Sequence, residues 1–324
     1  MSADNRAALV NWAEQTIARG SRSFGLASKL LPRRERENAW LLYAWCRACD
    51  DATDGQELGF ATDGVAAGAA VGALDPDALT RAALSLDVAV PQAFAALREV
   101  HRDAGLPEVF IQDHLAGFAL DRAGWRPRTA DDLIGYCYHV AGAVGGMMAV
   151  IMGVPPGDAD TLDRASDLGI AFQLDNIARD LAEDAGIGRC YVPADWLAAQ
   201  GLAESTLALP EHRPALASIA RQLNDLARRY RASAAVGAAR LPWRCRLAIL
   251  SAANIYGAIG DQVVARGASA WDSRVSTSGV TKLAAVVRAL VQSFTAPADP
   301  GRVGLFNRDG WRAAGPLPDP ATGA

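Results

Sequence analysis

The stretch TLDRASDLGIAFQLDNIARDLAEDAG, residues 161–186, decides how this chain is read. Ile170, Leu174, Ile177 and Leu181 recur three or four apart, the period of a helix with one buried face. The pattern predicts a helix from Thr161 to Glu183, with Gly186 and Gly188 as its stop. On that helix Asn176, Asp180 and Asp184 stand four apart and form one oxygen-bearing stripe. Like charges at this spacing weaken a helix, so the stripe calls for a reason other than folding.

Upstream, Asp50-Asp51-Ala52-Thr53-Asp54 closes a second expected helix, Arg33 to Asp54, stopped by Gly55. Asp50 and Asp54 share a face, with Arg47 and Tyr43 on it one and two turns earlier. Either cluster alone reads as a solvated polar surface. Together they read as a site, because each follows an apolar run (Leu41, Leu42, Trp45; Ile170, Phe172, Leu174) and neither contains a lysine. Carboxylates on facing helices suit a hard cation such as magnesium, which keeps waters and completes its shell with substrate phosphates. Arg47, Arg179, Arg189 and Arg274 are candidates for charge-assisted contacts to diphosphate oxygens.

The rest of the chain agrees with an all-α fold. Of 324 residues, 51% are hydrophobic and only 7% aromatic, and β-branched runs are rare. Further helices are expected at 4–19, 91–104, 107–121, 131–154, 213–236, 243–266 and 278–294. Ser21-Arg22-Ser23-Phe24 reads as a polar junction, and residues 55–90 show no clear period. One helical domain over 1–295 is expected, followed by a Pro- and Gly-rich tail over 296–324 that is loosely held. The net charge of −4 argues against nucleic acid as a partner. Cys46 and Cys49 make a lone CxxC inside a helical pattern and read as packing residues in a reducing compartment. There is no apolar leader at the N-terminus, and the run 140–154 is too short to span a bilayer. The four histidines lack metal-ligand spacing, and no dinucleotide, P-loop or nucleophile-elbow motif is present.

With these residues laid out, the chain resembles the squalene and phytoene synthase family, and within it the bacterial phytoene synthases. The resemblance runs from about Ala18 to Lys282. It rests on Ser21-Arg22-Ser23-Phe24, LYAWCRACDDATDGQELGF at 42–60, DHLAGFALD at 113–121 and YCYHVAGAVGGMM at 136–148. AFQLDNIARDLAEDAGIGRCYVPADWL at 171–197 and RVSTSGVTK at 274–282 complete it. The resemblance implies a single isoprenoid-synthase helical bundle around a central active-site cavity. Asp50, Asp54, Asn176, Asp180 and Asp184 are then the expected metal ligands, for magnesium with manganese as the alternative. Ser21, Ser23, Tyr43, Arg47, Gln173, Arg179 and Arg274 are the expected substrate contacts, and Tyr136 and Tyr256 would line the pocket.

The implied reaction joins two geranylgeranyl diphosphates head to head, through a cyclopropyl intermediate, into 15-cis-phytoene. No nicotinamide cofactor is expected. A cytoplasmic protein touching the inner face of the membrane is implied by so greasy a product; the oligomeric state is left open. Two rivals stand beside this reading: a sister enzyme that makes dehydrosqualene or squalene from farnesyl diphosphate, and a non-catalytic assembly factor. The latter is expected to have lost its carboxylates. The small residues Ala141, Gly142, Ala143, Gly145 and Gly146 argue weakly for room for the longer substrate. Two departures from the family pattern are Ala52-Thr53 in the first motif and Asp175, which lies about 100° round the helix from Asn176.

Overall fold

Capping side chains set several helix starts. Ser21 Oγ accepts from Phe24 N–H at 3.3 Å and opens a short helix, where sequence alone shows only a polar junction. Thr129 and Asp132 form a reciprocal capping box, and Asp158 caps the long helix that carries the acidic stripe. The computed structural model describes residues 3–54, 56–57, 60–61, 75–85 and 88–314.

The order is α1 (Ala3–Gly20), α2 (Arg22–Ser28) and α3 (Arg33–Asp54). A two-residue antiparallel pair, β1 (Gln56–Glu57) with β2 (Phe60–Ala61), and α4 (Pro76–Ser85) occupy the stretch with no legible period. Then come α5 (Gln92–Ala104), α6 (Glu108–Arg122), α7 (Ala130–Cys137), a π-helical turn at Tyr138–Gly142, and α8 (Ala143–Ile151). The rest are α9 (Ala159–Gly186), α10 (Ala194–Ala199), α11 (Arg213–Ala238), α12 (Trp243–Arg266), α13 (Gly279–Gln292) and α14 (Arg308–Ala314). The all-α expectation holds, with α3 and α12 ending where predicted.

The core has two lobes. One joins α1, α3, α5, α6 and α8 around Trp45, Phe94, Leu97 and Phe110; the other joins α7, α9, α11 and α12 around Tyr138, Leu174 and Leu223. Between them runs α9, which packs along α11 and also meets α7, α8 and α12. The segments Ala130–Ile151 and Trp243–Ser269 are apolar and long enough to cross a bilayer, but 72% and 56% of these windows are buried inside the bundle, as core helices are.

Close approach of α9 to the π turn and α8 depends on glycine. A Cβ at Gly169 would stand 2.2 Å from the Ala141 carbonyl oxygen, and one at Gly145 would stand 2.3 Å from that of Ala165. Gly146 is filled by the Phe110 ring and Gly142 by Tyr138 and Ser166. These small residues therefore bring helices together, which removes most of their force as evidence of room for a long substrate. Gly169→Ala is expected to lower stability by about 1–3 kcal/mol, because all three clashing atoms are backbone; a thermal melt reads it.

The stretch from Ala296 departs from expectation. It is docked rather than loosely held as far as Ala314, and residues 315–324 lie outside those described. Arg302 reaches Asp167 at 2.9 Å through two nitrogens and Asp163 at 2.9 Å, while Arg308 also pairs with Asp163. Phe306 stacks on Tyr138 at 4.6 Å, and Trp311 fills the space left by Gly135. Pro and Gly supply the turns of this strap, and long-range ion pairs hold it down.

Candidate active site

A cavity of about 420 Å³ follows α9 from Thr161 to Asn176, about 22 Å of helix. Its polar end is built from three helices. Tyr43, Arg47 and Asp50 come from α3, Asp121 from α6, and Gln173 and Asn176 from α9. Toward the other end the wall becomes apolar: Val144, Met148, Leu168, Ala234, Ala248 and Ile249.

Of the sequence-predicted residues, Tyr43, Arg47, Asp50, Tyr136, Gln173, Asn176 and Tyr256 line this one cavity. Ser21 is off the wall but hydrogen-bonds the Tyr256 hydroxyl. Asp180 and Asp184 continue the Asn176 stripe along α9, about 6 Å further per turn and beyond the cavity lining. Ser23, Arg179 and Arg274 also stand off the lining. The side chain of Asp54 lies outside the described residues.

The acids are tied to arginines. Arg47 Nη2 is 3.0 Å from Asp50 and 2.9 Å from Asp51. Arg179 donates to Asp180 through Nε at 2.8 Å and Nη2 at 2.5 Å, and Arg274 joins Asp180 at 3.2 Å and also pairs with Glu183. Burial, then the charge of Asp180, pushes the Asp184 carboxyl up to about 7. Burial pushes the Tyr43 phenol up to about 12, and Gly20 leaves room for its hydroxyl, since a Cβ there would stand 2.3 Å away.

All three acidic groups of the site sit near helix C-termini. Asp50 and Asp51 lie near the end of α3, Asp121 in the last turn of α6, and Asp180 to Asp184 near the end of α9. The negative end of the helix dipole disfavours carboxylates there. Neither α3 nor α9 has a basic residue in its last turn to offset this.

The donor set is all oxygen, crowded enough to hold one carboxyl near neutral, and so suits a hard divalent cation. Asp50, Asn176, Asp180 and Asp184 are the residues that would hold it. Among the described residues, no three His, Cys, Asp or Glu side chains stand together closely enough to hold an ion. The fit is to a cation whose shell is completed by water and a phosphate-bearing substrate.

Two residues escaped the sequence reading. Asp121 accepts from the Tyr136 hydroxyl at 2.9 Å and from the Tyr191 hydroxyl at 3.2 Å. Tyr136 is stacked between Trp125 at 5.7 Å and Tyr191 at 5.0 Å, forming an aromatic wall beside the acids. An acid in the last turn of α6 was a signal that could have found Asp121; nothing local marks Tyr191. Asp175, the departure in the second motif, is fully buried and faces away from the stripe, paired with Arg231 at 2.5 Å. Burial pushes it up and Arg231 draws it part of the way back, leaving it at about 7. Gly260 makes room for that carboxylate, since a Cβ there would stand 2.2 Å from its oxygen.

Comparison with known proteins agrees with this arrangement. The family model described as squalene/phytoene synthase matches residues 17–281. The 15-cis-phytoene synthase of Enterobacter agglomerans is 48% identical over 277 residues, 85% of this chain and 93% of that protein. A phytoene synthase of Pseudescherichia vulneris is 45% identical over 304 residues, 93% of this chain and 98% of its own. Among solved structures, a dehydrosqualene synthase in complex with ligand is 27% identical with a TM-score of 0.77, covering 89% of this chain and 97% of that one. With the family match spanning both acidic stripes, and with relatives nearly half identical along most of their length, the chain belongs to the squalene/phytoene synthase family.

Proposed function

We propose that this chain is a prenyltransferase that joins two geranylgeranyl diphosphates head to head to give 15-cis-phytoene. The observation that carries the reading is one cavity with Asp50, Asp121 and Arg47 at one end and a largely apolar wall along α9 toward the other. Such a shape takes a diphosphate at one end and a hydrocarbon tail at the other. The high identity to phytoene synthases favours the twenty-carbon substrate, whereas the dehydrosqualene synthase likeness is weaker. Retention of both acidic stripes weighs against a non-catalytic assembly role.

Arg47, Arg179 and Arg274 are placed to receive diphosphate oxygens once substrate displaces their internal acids. Asp50, Asn176, Asp180 and Asp184 would hold magnesium, or manganese in its place, which would supply positive charge to offset that of the leaving diphosphate. Loss of one diphosphate leaves an allylic cation. The double bond of the second substrate adds to it, and loss of a proton closes the cyclopropane of prephytoene diphosphate. Loss of the second diphosphate, rearrangement and loss of a second proton give phytoene. Phe172 and Tyr256, stacked at 4.4 Å on the cavity wall, exclude water and offer ring faces to positive charge, and Tyr136, backed by Trp125 and Tyr191, helps keep water out. No step consumes a reductant, so no nicotinamide is required.

Purified protein given each prenyl diphosphate with magnesium should form phytoene from the twenty-carbon substrate and lose all product on adding a chelator. Product from farnesyl diphosphate alone would move the enzyme to the dehydrosqualene branch; no product from either would put an assembly role first. With Asp184 near 7, protonation competes with the metal below that pH. Apparent magnesium affinity should fall by up to roughly tenfold per unit as pH drops below 7. A magnesium titration of turnover at several pH values reads this, and a flat dependence down to pH 5.5 would remove Asp184 from the ligand set.

We also propose that the protein works in the cytoplasm as a peripheral protein at the inner face of the membrane. A forty-carbon hydrocarbon has nowhere else to go in water.

A further inference from the structure

Helix α13 presents an apolar face that stands exposed among the described residues. Val280, Leu283, Val287, Leu290, Val291 and Phe294 recur along it at helical spacing, with exposures from 41% at Leu290 to 80% at Val280. Its inner face is already satisfied: Ala289 packs on Leu247 and Leu250, and Asn254 donates to the Ala285 carbonyl at 3.1 Å and to the Gln292 side chain at 2.9 Å. The outer stripe is therefore surplus to folding.

At the C-terminal end of the stripe Trp243 is 47% exposed, with its ring 6.2 Å from that of Phe294 and its Nε1 donating to Ser293 Oγ at 3.1 Å. An indole with an apolar body and a satisfied polar edge suits the boundary between lipid and water. The charge on this face also differs from that of the whole molecule. The chain carries a net −4, yet α13 contains Lys282 and Arg288 and no acid. Arg246, beside its C-terminal end, donates only to the carbonyls of Gln292 and Thr295 among its described contacts.

We propose that the outer face of α13, with Trp243 and Phe294, docks on a lipid bilayer bearing anionic headgroups. A second copy of the chain would gather four cations around the seam, Lys282 and Arg288 of each α13, with no acid on either helix to offset them. A partner helix would find only about two heptads of stripe, short of the three or four that sustain a coiled coil. Anionic lipid meets both the apolar face and its cations. The surface also lies one helix away from the active-site cavity. Ala248, Ile249 and Ala252 of α12 line the apolar end, while Leu247 and Leu250 of the same helix support α13. The need for a bilayer rests on the proposed reaction; the surface itself stands on its own geometry.

Sedimentation of the full-length protein with vesicles of phosphatidylcholine, alone or mixed with phosphatidylglycerol, tests this. The wild type should bind, and bind better to the anionic mixture. Leu283→Glu with Val287→Glu, both exposed, should lower binding roughly tenfold or more with an unchanged melting temperature. Lys282→Glu with Arg288→Glu should abolish the preference for anionic vesicles. Turnover in detergent should be unaffected by the Leu283 and Val287 changes, so failure of the reaction and failure of the docking are read separately. Wild type that stays in the supernatant with every vesicle, or acidic variants that bind as well as wild type, would overturn the proposal. A dimer in solution that Leu283→Glu and Val287→Glu dissolve, without vesicle binding, would assign the face to a second copy.

Discussion

Alanine at Asp50 is expected to leave less than about a thousandth of the wild-type turnover, because a carboxylate that would hold the cation neutralising the leaving diphosphate is lost. The protein should remain folded. The Asp50 side chain is 42% exposed, and Arg47 keeps Asp51 as a partner when it is gone, so removal should change stability by within about 0.5 kcal/mol. Alanine at Asp180 should cost as much activity but is not stability-neutral. Its side chain is 17% exposed and clamped by Arg179 and Arg274, and Arg179 would be left half-buried without its carboxylate. A cost of about 1–3 kcal/mol is expected there. Product formation at saturating magnesium, with a thermal melt of each variant, separates the two effects. Normal turnover by Asp50→Ala would end the assignment of the first stripe.

The second large effect concerns the strap. Arg302→Ala should destabilise the protein by about 3–5 kcal/mol, because Asp167 is fully buried and would be left with only Ser233 to hydrogen-bond it, either charged without a partner or made to take up a proton. Turnover at a temperature where the variant is still folded should be close to normal, since Arg302 is remote from the polar end of the cavity. A melting curve reads the loss. A variant as stable as wild type would mean that the remaining contacts, Arg308 with Asp163 and the Phe306 and Trp311 rings, suffice to hold the strap.

These two expectations differ in how visible they were before any coordinates. The stripes on α3 and α9 could be found because their evidence is local: carboxylates repeat every four residues, and the helices around them have clear periods and stops. The strap could not. Arg302 and Arg308 meet partners 135 to 145 residues away, and no local pattern reports such pairings, whereas the Pro and Gly between them read as looseness. Helix α2 was missed for a related reason: at seven residues it is too short to show a period, and its start is set by one serine. In the site, Tyr136 was legible by resemblance, but its partners Asp121 and Tyr191 come together only through the packing of α6 against the chain beyond α9. Asp175 looked like an oddity of the motif and proves to be half of a buried pair with Arg231.

The gathering of acids at the ends of α3, α6 and α9 has a kinetic consequence. Three helices turn their negative poles toward one opening, so a bare diphosphate approaching it meets a repulsive field before it reaches Arg47 or Arg179. A diphosphate that arrives already complexed with magnesium carries less negative charge and is admitted more readily. Order of addition should therefore matter: free diphosphate in excess over magnesium should inhibit weakly, and the metal complex should behave as the true substrate.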